Sequence, residues 1–181
     1  MGVPHLFEEP IVFIGTLFSD KTIFDQVLPL LQDKFGNILF QSSTQPWKYS
    51  DHYNKELGGQ IYRNFIFFDE IIDPSTLTDI KLLTNDIEAI YSQDGKRRVN
   101  IDPGYITLAK VVLASTKNYS HRIYLGKGIY AELALFYKNQ QFIAMPYTYN
   151  DYKDQTYLVM FMKVRNLLKK LQGEKSIILK E

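Results

Sequence analysis

The stretch IVFIGTLF at positions 11–18 constrains the fold most, because written as a strand it is apolar on both alternating faces. Such a strand belongs in the middle of a sheet rather than at an edge. Ser19 and Asp20 follow as helix-capping residues, so a helix is expected to begin there. Its apolar positions Phe24, Val27, Leu28, Leu31 and Phe35 keep helical spacing, and Gly36 supplies the stop. Pro29 lies inside that pattern and removes one backbone hydrogen bond, which predicts a kink or a late start.

The remaining chain continues the alternation of strands and helices. Residues 37–44 read as a strand, QPWKYSDHYNKELGG as a long polar and aromatic connection of the functional kind, and 60–72 as a second long strand. Asp73 and Pro74 open a helix as cap and first residue, with Leu77, Ile80, Leu83, Ile87 and Ile90 as its stripe. Asp102-Pro103-Gly104-Tyr105 fits a turn leading into a strand, or the cap of a helix over 104–116. The turn is favoured, since Gly104 weakens a first helical turn and Ile, Thr and Val are dense beyond it. An antiparallel meander over 121–126, 129–137 and 141–146 and a last helix over about 154–172 complete the chain. The expected class is α+β: a mostly antiparallel sheet with about three helices. A ferredoxin-like βαββαβ core would be extended by the meander and the C-terminal helix.

With 181 residues the chain is read as a single domain, 1–181. It has no cysteine, which removes thiolate nucleophiles and thiolate metal sites and leaves His5, His52 and His121 as nitrogen ligands. The start lacks a secretory pattern and no stretch approaches about 18 apolar residues, so a soluble cytoplasmic protein with no membrane partner is expected. The net charge of +1 offers no bulk attraction for nucleic acid. Yet from Lys96 to Glu132 seven basic residues stand against two acidic ones, a local +5 that marks an anion-binding face or a solvated one.

Within that segment the even positions Arg122, Tyr124, Tyr130 and Glu132 share one face of a hairpin. A Gly126-Lys127-Gly128 loop sets Arg122 opposite Glu132 and Tyr124 opposite Tyr130. The quartet is either a surface ion pair beside a tyrosine pair or the wall of a pocket, with Arg122 holding an anion and Glu132 steadying it or acting as base. His121 adjoins it as a candidate base. Asp51, His52 and Glu56 in the long connection are the weak metal-ligand candidates. On the second helix Lys81, Asn85 and Glu88 fall on one edge, which an exposed polar edge explains. Gly126-Lys127-Gly128-Ile129-Tyr130-Ala131 fits the dinucleotide fingerprint in letters only, because no crossover helix has room to follow it.

Several segments together carry a resemblance. They include Ser50-Asp51 with Tyr53, Glu56 and Gly58; Lys81 with Thr84-Asn85 and Glu88; and Gly95-Lys96-Arg97-Arg98-Val99-Asn100 with Asp102-Pro103-Gly104-Tyr105. Val112 to Lys117, His121 to Leu125, Gly128 to Glu132, Tyr147-Thr148-Tyr149 and Asp151-Tyr152 add to them. The chain resembles, over nearly its whole length, an uncharacterised bacterial family called domain of unknown function 4416. The resemblance implies a self-contained bacterial domain and supplies no activity. It also implies that Arg98, Asn100, Asp102, Lys117, His121, Arg122 and Glu132 are motif residues. The catalytic candidates are therefore His121, Glu132 and Asp102, and the ligand-binding candidates Arg98, Asn100, Lys110, Lys117, Arg122, Tyr124 and Tyr130.

Three functional readings follow. The first is a protein or enzyme that binds a phosphorylated or carboxylated metabolite, with Arg98, Lys110, Lys117 and Arg122 neutralising the anion. The second is a module for RNA or single-stranded DNA that stacks bases on Tyr62, Tyr124 and Tyr130, against which the near-zero charge stands. The third is a structural or interaction module that forms a homodimer through its Tyr- and Phe-rich surface. No cofactor is named by these residues.

Overall fold

The computed structural model describes residues 2, 3 and 8–178, so His5 lies outside the described residues. The first half of the chain runs β1 (Ile11–Phe18), α1 (Lys21–Phe35), β2 (Ile38–Gln41), β3 (Gln45–Pro46), α2 (Asn54–Leu57), β4 (Tyr62–Ile71) and α3 (Leu77–Ile90). The second half runs β5 (Val99–Ile106), β6 (Lys110–Ser115), β7 (Ile123–Gly126), β8 (Ile129–Lys138), β9 (Gln141–Ala144), α4 (Asn150–Lys153) and α5 (Gln155–Ile178). Both expected caps form: the Thr22 amide donates to the Asp20 carboxylate and the Ser75 amide to that of Asp73. Pro74 opens a short 3-10 turn that runs into α3. Among the described residues no helix is long and apolar enough to cross a membrane.

The described strands join in one antiparallel sheet ordered β2-β4-β1-β5-β6-β8-β7, with β3 also on β4 and β9 also on β8. The first four places are those of a ferredoxin-like core, in which β4 lies between β1 and β2 and β5 closes on the far side of β1. Helices cover both faces of β1, which is why it is apolar all round. Val12, Ile14 and Phe18 pack under α1 and α3 with Phe24, Val27, Leu31, Ile80 and Ile87. Ile11 and Phe13 face the opposite way, onto Tyr157, Phe161 and Val164 of α5. At about 25 cal/mol per Å² of apolar area, each such aromatic or branched side chain contributes about 1.5–3 kcal/mol to the core.

Asp102-Pro103-Gly104-Tyr105 is not a turn. It lies inside β5, and the chain reverses at Thr107, whose amide donates to the Lys110 carbonyl and whose hydroxyl accepts from the Ala109 and Lys110 amides. Proline is tolerated because β6 pairs with β5 only over Gly104–Ile106. The Ile101 amide and carbonyl meet Glu88 and Lys81 rather than a strand, so the nitrogen of Pro103, two residues on, points into the same gap. Residues 104–116 are thus strand, tight reversal and strand. α1 begins at Lys21 and runs through Pro29; the carbonyl that Pro29 leaves unpaired, on Asp25, is on the exposed side. The meander refolds on itself: β7 pairs with the first part of β8 and β9 with the last, both on the edge away from β6.

Candidate functional site

α5 covers only part of its face of the sheet. Over the other part, Trp47 to Tyr53 from the long connection and Tyr149 to Tyr152 from the segment before α5 form a roof, enclosing a cavity of about 340 Å³. That volume lies in the range of small-molecule sites. Its floor crosses the sheet through Arg63 of β4, Asp102 of β5, Leu113 and Ser115 of β6 and Glu132 of β8. The register explains the row, since Gly15 pairs with Asp102 and Leu113 with Glu132, and paired residues share a face. Gly15 is needed there: a Cβ would sit 2.9 Å from Nη2 of Arg63, whose guanidinium lies across that bare backbone.

Three acid–base pairs organise the floor. Arg63 and Asp151 meet at 2.9 Å with side chains only 3% and 2% exposed. Burial raises the Asp151 carboxyl above its ordinary value, and Arg63 opposes that rise. Arg122 and Glu132 meet at 2.6 Å. The Arg122 guanidinium also donates to the Ser115 hydroxyl, the Lys117 carbonyl and the Tyr149 hydroxyl, so its fork is filled by the protein. Asp102 is the exception in exposure: its side chain is 33% exposed, onto the cavity it lines. Burial raises its pKa, but Lys81, Arg63 and Asn100 outweigh that and hold it below the ordinary value, ionised at neutral pH.

The gap between β5 and β6 is closed from below by α3. Lys81 donates to the Ile101 carbonyl and lies 3.4 Å from the Asp102 carboxylate, while Glu88 accepts from the Ile101 amide. These side chains are buried, so the edge read as exposed is a support of the site. Arg97 extends the network, donating to Glu88, to the Asn100 side chain and to both oxygens of Glu56 on α2. Asn100 in turn donates to Asp102 at 2.6 Å.

Of the residues singled out in the sequence, Asp102, Glu132, Lys117 and His52 line the cavity. Arg122 and Asn100 stand directly behind it. His121 stacks on Tyr147 at 4.0 Å, with Nε2 3.5 Å from Glu132, so it backs the Glu132 carboxylate. The hairpin register is the expected one, with Tyr124 opposite Tyr130 and their rings 5.1 Å apart. A bulge restores it, because the turn is the two residues Lys127-Gly128, both at positive φ. Tyr124 is exposed and outside the cavity, and Tyr62 lies across the sheet against Phe18. Two cations are elsewhere: Arg98 pairs with Asp20 at the start of α1, and Lys110 is exposed at the far end of β6. Glu56 is held by Arg97, and Asp51 accepts from the Asn54 side chain. Among the described residues no three His, Asp or Glu side chains gather as a metal site.

Sequence reasoning marked the connection that carries Trp47 to Tyr53 as of the functional kind, but gave no role to Arg63 or to Asp151 and did not foresee that the connection roofs a cavity. A signal for Arg63 was present, because an arginine two residues before the apolar run Phe65–Phe68 in a long strand is expected to be paired or functional. Asp151-Tyr152 is among the segments that carry the resemblance, but nothing near Asp151 names its partner, which is 88 residues away. No curated protein and no solved structure matches this chain. The family model Domain of unknown function (DUF4416) matches residues 9–168, which takes in every strand, the roof and all three acid–base pairs, and the chain belongs to that family.

Proposed function

We propose that the protein binds a small molecule in the cavity between the sheet and the Trp47–Tyr53 roof. The observation that carries the reading is Asp102: an ionised carboxylate in the floor of an enclosed site, exposed to that site and surrounded by aromatic walls. A buried charge that serves only the fold is covered by its partners; here three partners hold the carboxylate in place and leave part of it open. The ligand contact is with Asp102, and Glu132, held by Arg122, is the second acid available to it. An anionic metabolite finds less support than the basic segment suggests. Of the four cations assigned to it, Arg98 and Lys110 are remote and Arg122 is filled by Glu132, Ser115 and Tyr149, which leaves Lys117.

Native mass spectrometry of the purified protein tests the reading. A co-purifying small molecule is expected, lost on gentle denaturation and absent from Asn150→Trp, which places an indole at the cavity's mouth. A bare mass for the wild type, together with no ligand-induced rise in Tm across a metabolite library, would remove it.

A further inference from the structure

We infer that the ligand is a neutral ring bearing adjacent hydroxyl groups, a free sugar or the ribose of a nucleoside, with Asp102 accepting from two of those hydroxyls. This rests on the cavity being a small-molecule site. Three features of the floor lead to it.

The first is charge balance. Asp102 is matched by Lys81, Asp151 by Arg63 and Glu132 by Arg122, at 3.4, 2.9 and 2.6 Å. These three acids and three bases cancel, so they offer a charged ligand no free counter-charge, and the cation that remains on the lining, Lys117, is an exposed residue. The second is an excess of acceptors. Asp102 Oδ1 takes one hydrogen bond, from Lys81, and Oδ2 one, from Asn100, and each carboxylate oxygen has room for about two. The two open positions lie on the same carboxylate, whose paired oxygens suit two donors on neighbouring ring carbons. An acidic side chain meeting ribose hydroxyls in nucleotide-binding folds uses the same chemistry. The third is the wall. Trp47, Tyr53 and Tyr149 offer flat apolar surface to a ring, and Leu17 and Leu113 complete the apolar side.

The experiment is a thermal-shift and saturation-transfer NMR comparison on the whole chain with four probes: D-ribose, adenosine, 2′,3′-dideoxyadenosine and a phosphorylated ribose. Saturable binding of ribose, adenosine or both is expected. Adenosine alone identifies a nucleoside as the source, and ribose binding as tightly as adenosine identifies a free sugar. The dideoxy analogue is expected to bind at least tenfold more weakly than adenosine, and the phosphate group is expected to add nothing. Asp102→Asn should weaken the binding probe by tenfold or more while keeping the wild-type circular dichroism; if that variant does not fold, the dideoxy comparison on wild-type protein decides alone.

Equal binding of adenosine and its dideoxy analogue overturns the hydroxyl assignment while leaving a small-molecule site in place. A phosphorylated probe at least tenfold tighter than ribose overturns it in favour of an anion. No binding of any probe also overturns it, and the co-purification test then judges the site itself.

Discussion

Gly15 and Tyr49 show how single atoms shape the cavity. Gly15→Ala puts a methyl group against the Arg63 guanidinium, which is pinned by Asp151 and cannot swing into water. Crowding of this kind costs about 1–3 kcal/mol, so the urea midpoint should fall at unchanged slope. A wild-type midpoint would show that Arg63 has room to move. Tyr49 donates to Asp154 at 2.7 Å and ties the roof to the start of α5. That hydroxyl, with the Thr156 amide, holds the Asp154 carboxyl at about 2, below the ordinary 3.8. A carboxyl depressed by folding adds stability above its unfolded pKa and loses it as pH falls through the folded one. Wild-type stability should therefore drop between about pH 4 and pH 2. Tyr49→Phe should flatten that drop and cost about 1 kcal/mol near neutral pH. Parallel acid limbs for the two proteins would refute the assignment.

At the scale of elements, the β7–β8 hairpin and the helix α3 each carry a test. Arg122 and Glu132 are both 1% exposed by side chain, which makes theirs a buried pair rather than a surface one. Glu132→Ala should leave Arg122 buried without a counter-charge and cost roughly 3–5 kcal/mol. Replacing both residues with Thr should recover much of that loss, giving a large coupling energy in a double-mutant cycle by urea unfolding. Coupling near zero would mean that the hydroxyls of Ser115 and Tyr149 suffice for Arg122. On α3, Lys81→Met keeps the stem and removes the ammonium from the Ile101 carbonyl and Asp102. Stability should fall by about 1–3 kcal/mol, and Asp102, deprived of its nearest cation, should titrate at higher pH. NMR of the Asp102 carboxyl measures that shift, and an unmoved value would show that Arg63 and Asn100 hold the charge without help.

For the whole molecule, the layering predicts where the fold opens. β1, β4 and β5 are paired on both sides or sealed by α3, and helices cover both faces, whereas β7 is an edge strand with Ile123 and Tyr124 exposed. Native-state hydrogen exchange should find the slowest amides in β1 and β4, near the global limit, and much faster exchange in β7. Uniform protection across the sheet would contradict this. The sheet order also separates the tyrosines on which bases were expected to stack: Tyr62 and the Tyr124–Tyr130 pair lie on opposite sides of β1, β5 and β6.

Local patterns determined a good deal by themselves. The central place of β1 followed from its double apolar face, the starts of α1 and α3 from Asp20 and Asp73, and the Arg122–Glu132 pairing from alternation across a short loop. Each depends on residues within about ten positions of one another, where backbone geometry dictates which side chains meet. The turn at Asp102–Tyr105 was misread for the same reason. Pro and Gly signal a reversal locally, but a distant helix that seals the strand edge with Lys81 and Glu88 lets Pro103 sit in a strand. The cavity was beyond local reach altogether. Arg63 finds Asp151, and Tyr49 finds Asp154, across stretches of chain whose approach is set by sheet order and by the packing of α5, and no short-range pattern encodes those distances.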